Sequence, residues 1–141
     1  MAHDRIWDEA RRELAGLPGG RGLNIAHEAV DRHAAGPRRD LVALRCHRRD
    51  GRVETLTYSE LAEATDRFAN VLAGLGVGPG DRVATLLGPG AEQHVALLGT
   101  LKARAVACPL FASFGPEPVR ARAARAAARV LVTTPALHRR K

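Results

Sequence analysis

The chain has little of what most active sites are made from. It has two serines, Ser59 and Ser113, and neither lies in a G-x-S-x-G turn, which sets aside a serine hydrolase of the nucleophile-elbow kind. Its two cysteines, Cys46 and Cys108, sit in apolar strand-like runs without a C-x-x-C pair, so they read as buried thiols in a reducing compartment rather than a disulfide frame. The six histidines, His3, His27, His33, His47, His94 and His138, form no H-x-x-x-H pair. Cys46 and His47, adjacent in a strand, would face opposite ways, so a zinc site is not expected. One Trp, one Tyr and three Phe leave little surface on which nucleobases could stack. No apolar run approaches the ~20 residues of a membrane span. The opening MAHDRIWDEARREL is charged from its fourth residue, unlike a secretory leader, and the expectation is a cytoplasmic chain with no membrane partner.

What is present is charge of one sign. The net charge is +7 and the pI about 10.9, which ordinarily points to an anionic partner. Yet 20 of the 22 basic residues are arginine, amid abundant alanine and glycine, a skew that GC-rich coding produces without selection for binding. The charge is therefore read as solvated surface, and nucleic-acid binding is expected to be weak, non-specific and steeply salt-dependent. With 141 residues, 45% of them hydrophobic, the chain can form one ordinary domain.

Hydrophobic spacing predicts the elements. Ile6, Trp7, Ala10 and Leu14 mark a short docked helix over residues 4–15, and Gly16-Leu17-Pro18-Gly19-Gly20 a flexible link after it. Asn24 is placed to cap a helix to about Ala34, with Ile25, Ala29 and Val30 inward and Glu28 near the positive helix end. Leu41 to His47 and Arg52 to Leu56 flank Asp50-Gly51, which predicts an antiparallel hairpin with a type I′ turn. Thr57 and Glu60 fit a capping box opening a helix from Tyr58 to Leu75, with Leu56 and Leu61 as staple and a core stripe of Leu61, Thr65, Phe68, Leu72 and Leu75. Gly76 suits a left-handed cap with Val77 folding back, and Gly78-Pro79-Gly80-Asp81 a turn.

From Arg82 onward the order is strand (82–87), helix (91–103), strand (105–108), helix (116–128) and strand (129–133). The fold class is thus α/β: an N-terminal hairpin followed by β-α-β-α-β with a mostly parallel sheet and right-handed crossovers. Pro116 fits a first helical turn, and the nine residues from Thr133 show no further element.

Gly88-Pro89-Gly90 lies between a strand and a helix, the context of an anion-binding turn. Gln93 stands where the dinucleotide fingerprint needs its third glycine, and no acidic residue follows at a strand end about 20 positions on, so the turn is read as structural. Gly78-Pro79-Gly80 follows a helix and precedes a strand, the wrong polarity for a phosphate loop. Phe111 and Phe114 are read as packing beneath a loop, not as ligand contacts.

The run from Thr57 to Glu117, TYSELAEATDRFANVLAGLGVGPGDRVATLLGPGAEQHVALLGTLKARAVACPLFASFGPE, resembles the opening of the AMP-forming acyl-CoA synthetases of the adenylate-forming superfamily, closest to the acetyl-CoA synthetase branch. The resemblance extends upstream through NIAHEAVDRHA and downstream through ARVLVTTPALHRRK. It implies an incomplete portion of the large N-terminal domain of such a synthetase: 1–23 as an N-terminal helix and Gly-rich link, and 24–141 as a partial synthetase/ligase domain. It implies a two-step reaction in which a carboxylate attacks the α-phosphorus of Mg-ATP and coenzyme A then displaces AMP. In that family the Thr/Ser/Gly-rich phosphate loop and the catalytic lysine lie beyond the point matched by Lys141. The expectation is therefore a truncated product or a part of something longer, inactive alone, with no catalytic or metal residue and no cofactor bound by itself. Its partner would be the missing remainder, and ATP, Mg and coenzyme A are the family's ligands. The one implied contact is coenzyme A phosphate at Arg139 and Arg140, since arginine recognises such anions bidentately. One departure stands out: where the superfamily commonly reads Lys-Ala-Gly-Ala, Arg104 takes the glycine place, and the Ala126-Ala127-Ala128 triple encodes helix termination weakly.

Two readings of other classes remain. One is a stand-alone basic domain that binds nucleic acid or an acidic partner through Arg120, Arg122, Arg125, Arg129, Arg139 and Arg140. The other is an inert remnant.

Overall fold

The computed structural model describes residues 2–48 and 50–140. Helix α1 (Ala2–Glu13) is joined by a loop to a second helical segment, His27–Asp31 wound as a π-helix and continued by α2 (Arg32–Ala34). Strands β1 (Val42–His47) and β2 (Val53–Thr57) pair antiparallel, and α3 (Tyr58–Gly74) follows. Then come β3 (Arg82–Leu87), α4 (Ala91–Lys102), β4 (Val106–Phe111), α5 (Pro116–Arg125), β5 (Val130–Thr133) and α6 (Pro135–Arg140).

Strands β4, β3 and β5 form a parallel sheet in that order. The chain steps from β3 to β4 and then back across β3 to β5, and right-handed crossovers place α4 and α5 on opposite faces of such a sheet. Strand β3 lies in the middle and is buried from Val83 to Leu87, as its largely apolar sequence, broken only by Thr85, requires. The core gathers Leu72, Val77, Val83 and Ala105, with Phe68, Val130 and Val132 against it. Helices α3 and α4 approach closely because Gly99 faces Phe68 and the Thr65 carbonyl, while Thr65 and Thr100 satisfy their own hydroxyls on carbonyls one turn back.

The N-terminus of α3 holds the capping box: Glu60 N–H donates to Thr57 Oγ1 at 3.2 Å, and Thr57 N–H to Glu60 Oε2 at 2.8 Å. Helices α3, α4 and α5 all end in one motif, in which a left-handed residue is followed by one whose N–H reaches back to the last turn. Those N–H groups belong to Val77, bonded to the Leu72 carbonyl, Ala105, to Thr100, and Ala128, to Ala123. The left-handed residues are Gly76 (φ 75°), Arg104 (φ 60°) and Ala127 (φ 46°). Only the first is a glycine. At the end of α5 the Arg82 guanidinium, projecting from β3, donates to the carbonyls of Ala126 and Ala127 at 2.8 and 3.2 Å. A side chain 44 positions away in sequence thus supplies a termination signal that the alanine triple lacks.

Several local expectations are corrected. Leu75 is 58% exposed, because Val77 folds back into the inward place the stripe assigned to it. In the second helix Ala26 and Val30 are buried while Ile25 and Ala29 are exposed: the π-winding changes the residue repeat and turns a different face inward. Asn24 does cap that helix, accepting from Ala26 N–H at 2.9 Å. The hairpin turn is not type I′, since Asp50 is not at positive φ; Gly51 alone among the described loop residues is, at 84°, and its N–H donates to the Arg48 carbonyl. Arg49 in that loop lies outside the described residues. Strand β4 runs on through Pro109 to Phe111, which an edge strand allows because a proline without an N–H can sit with its open side outward. Residues after Thr133 do form an element: Thr134 Oγ1 accepts from Leu137 N–H and opens α6, with Pro135 at its first position. Lys141 lies outside the described residues. The segment after α1 is not a free link, because Glu28 accepts from the N–H groups of Ala15 and Gly16 at 3.0 and 2.6 Å. Helix α1 is not docked by its apolar side, since Ile6 and Trp7 are 64% and 61% exposed.

Candidate binding groove at the carboxyl edge of the sheet

In open α/β sheets ligands gather outside the carboxyl ends of the strands. Here that edge holds a cavity of about 460 Å³, floored by Leu87 and Val132, walled by Phe68, Val95 and Ala96, and rimmed by Thr133 and Thr134. Thr133 Oγ1 is buried there without a hydrogen-bond partner among the described residues. The groove is mostly apolar, because α3, α4 and the end of β5 each turn a hydrophobic face to it.

Its ionisable groups are tied to one another. Arg48, from the end of the hairpin, donates to Glu54 at 2.6 Å and to Glu92 at 3.0 Å. These bonds, first from Glu54 and then from Glu92, hold the Arg48 guanidinium still more firmly protonated than usual. Glu92 is held below the ordinary carboxylate range, first by its own backbone N–H and then by Arg48. It stands in the first turn of α4, after Gly88-Pro89-Gly90, so the place an external anion would take at this helix N-terminus is filled by the protein's own carboxylate. The carboxylate also occupies the space a side chain at Gly90 would need, 2.6 Å from its ideal Cβ. The expectation of a structural turn is thus matched by the geometry. The Arg48–Glu92 pair was not visible in the sequence; Glu92 in a first helical turn was a signal, but its arginine comes from 44 residues upstream.

Arg139 and Arg140 lie on α6, beyond the groove, both exposed and without an ion pair among the described residues. The other arginines of the basic-domain reading are dispersed. Arg120 pairs with Glu117, Arg129 with Asp81, and Arg122 lies over the Phe114 ring at 4.4 Å from its centroid. Phe111 meets Phe114 edge-on and is itself 71% exposed, so it is not packed beneath the loop. Cys46 and Cys108 are free and half-buried. No group of three or more His, Cys, Asp or Glu among the described residues could hold a metal. No helix among them is long and apolar enough to cross a membrane. Among the described residues, the groove joins an apolar surface to the charge network of Glu54, Arg48 and Glu92.

Residues 30–141 match the family model described as AMP-binding enzyme. The chain belongs to that family. It is 39% identical over 132 residues to the acetyl-coenzyme A synthetase of Bacillus subtilis, a match covering 93% of this chain and 23% of the relative. It is 35% identical to the 3-hydroxypropionyl-coenzyme A synthetase of Metallosphaera sedula over 118 residues, 84% of this chain and 18% of that one. Among solved structures, the acyl-CoA synthetase of Brucella canis superposes with a TM-score of 0.86 at 34% identity, covering 95% of this chain and 24% of that one. The chain therefore spans about a fifth to a quarter of the length of these relatives. The family assignment favours a synthetase part over a nucleic-acid-binding domain.

Proposed function

We propose that this chain forms the opening part of an AMP-forming acyl-coenzyme A ligase, one that activates a short carboxylic acid with Mg-ATP and passes the acyl group to coenzyme A. The observation that carries the reading is 34–39% identity to three synthetases over 84–95% of the chain, with the same backbone arrangement in the one of solved structure. Residues 24–141 act as part of the ligase domain and 1–23 as a separate leading segment, in the cytoplasm. The reaction needs a phosphate cradle, a metal ligand and a mobile lysine, and none is assigned within this chain. Its contribution is architectural, with one binding role: Arg139 and Arg140, exposed on α6 and without an ion pair among the described residues, suit the phosphates of coenzyme A. Its partner is the remainder of the synthetase.

A chimera tests this. In the Bacillus subtilis acetyl-coenzyme A synthetase the aligned segment is replaced by this chain, and acetate-dependent exchange of pyrophosphate into ATP is measured. Exchange is expected from the chimera and not from the chain alone. A folded chimera without exchange, or exchange by the isolated chain, would overturn the reading. For the arginines, alanine at both positions in the chimera is expected to raise KM for coenzyme A at least about tenfold while leaving pyrophosphate exchange intact, since one tenfold step corresponds to ~1.4 kcal/mol. An unchanged KM would remove their role.

A further inference from the structure

At the opposite, amino-terminal edge of the sheet lies a second cavity, of about 620 Å³, lined by Leu17, Arg21, Leu23, Asn24 and Arg104. It adjoins one of about 260 Å³ that shares Leu17, Asn24 and Arg104 and adds Asp31, Asp66 and Lys102. The two acids there are already engaged: Lys102 Nζ lies 2.6 Å from Asp31 and 2.7 Å from Asp66. Asn24 is also engaged, its amide donating to the Leu101 carbonyl while its oxygen caps the helix. The two guanidinium groups are different. Among the described residues, Arg21 makes a single side-chain bond, Nε to the Pro18 carbonyl at 2.9 Å, and Arg104 makes no side-chain hydrogen bond or ion pair. Two arginines with spare guanidinium donors thus line one concave site whose neighbouring carboxylates are engaged by Lys102.

The site is held in place from both sides. The loop bearing Arg21 is closed by Leu17 N–H on the Gly22 carbonyl at 2.8 Å and anchored through Ala15 and Gly16 to Glu28. Arg104 stands at φ 60°, where a glycine would sit without strain. Its carbonyl accepts from Gly80 N–H at 3.0 Å, which fixes the turn.

We infer that Arg21 and Arg104 form a binding site for a phosphate group, inorganic or carried as a monoester with a small apolar body against Leu17 and Leu23. A dianion matches two unpaired guanidinium groups better than a monocarboxylate does, and planar forks bind phosphate oxygens bidentately. The site is separate from the carboxyl-edge groove, and it stands or falls independently of the ligase reading.

The test is a titration of the full chain, held at a concentration below the onset of light scattering, with inorganic phosphate at constant ionic strength, followed by amide and arginine Nε–H chemical shifts, with acetate as a parallel arm. Saturable shifts at Arg21, Gly22 and Arg104 are expected, with a Kd on the order of 1 mM. Arg104→Gly should weaken binding at least tenfold while raising Tm by roughly 2–4 °C, because it removes a left-handed non-glycine residue. Arg21→Ala should weaken binding similarly and leave Tm unchanged. Shifts that fail to saturate, that persist in both variants, or that acetate reproduces at equal concentration would overturn the assignment.

Discussion

Two non-glycine residues, Arg104 and Ala127, occupy left-handed helix-end positions, and the strain is local enough to be removed by one substitution. Ala127 has no side-chain role to lose. Ala127→Gly is expected to raise stability by about 0.5–1 kcal/mol, the gain from relieving the Cβ clash less the extra entropy of an unfolded glycine. Urea unfolding measures it, and a midpoint that falls would contradict the reading. Glu60 offers a test by pH. Its pKa is lowered from the ordinary 4.5, chiefly by the Thr57 backbone N–H and then by the Thr57 hydroxyl. A depressed carboxylate binds its proton more weakly folded than unfolded, so its contribution is complete above pH 4.5 and is lost as pH falls through the folded value. Glu60→Gln should therefore lower stability at neutral pH and bring the wild-type and variant curves together in acid. Parallel curves across that range would show that the capping carboxylate is not what titrates.

At the scale of elements, the contact between α3 and α4 depends on one missing side chain. A Cβ at Gly99 would lie 2.7 Å from Phe68 Cδ1 and 2.9 Å from the Thr65 carbonyl oxygen. In an exposed helix, glycine to alanine would gain about 1 kcal/mol. Here the sign reverses, because the opposing atoms include backbone of the neighbouring helix. Gly99→Ala is expected to cost about 1–3 kcal/mol, the range for overpacking a close-packed interior. Thermal unfolding decides between the two, and an unchanged or higher Tm would mean that the helices separate freely. The capping box, the Val77 fold-back and the buried run of β3 were legible because they depend on residues within five or six positions of one another. The end of α5 was not: its alanine triple is silent, and the arginine that terminates it reaches across from β3.

For the whole molecule, the parallel sheet has three strands, and β4 and β5 each pair only with β3 among the described residues. Phe111, Val106 and Leu131, on those outer strands, are 71%, 47% and 41% exposed. Unpaired edges beside exposed apolar side chains favour association. The chain by itself is expected to bind a hydrophobic dye, to scatter light as concentration rises, and to protect the amides of β3 from exchange more than those of β4 and β5. Monomeric behaviour with uniform strand protection and no dye binding would show a self-sufficient domain instead.

Order and kind of the elements as far as Thr133, apart from the π-winding of the second helix, followed from the sequence alone, because hydrophobic spacing, the Thr57–Glu60 box and the turn residues act over a few positions. The family followed too, through the run from Thr57 to Glu117. Which charges are free did not. Arg48 and Glu92, Arg82 and the α5 carbonyls, and Lys102 with Asp31 and Asp66 are pairs separated by 36 to 71 residues. Arg21 and Arg104, which face one cavity without such partners, are further apart still. Charge in a sequence reports only sign and number; whether a guanidinium is neutralised depends on what the fold brings within about 4 Å of it, and only the tertiary structure decides that.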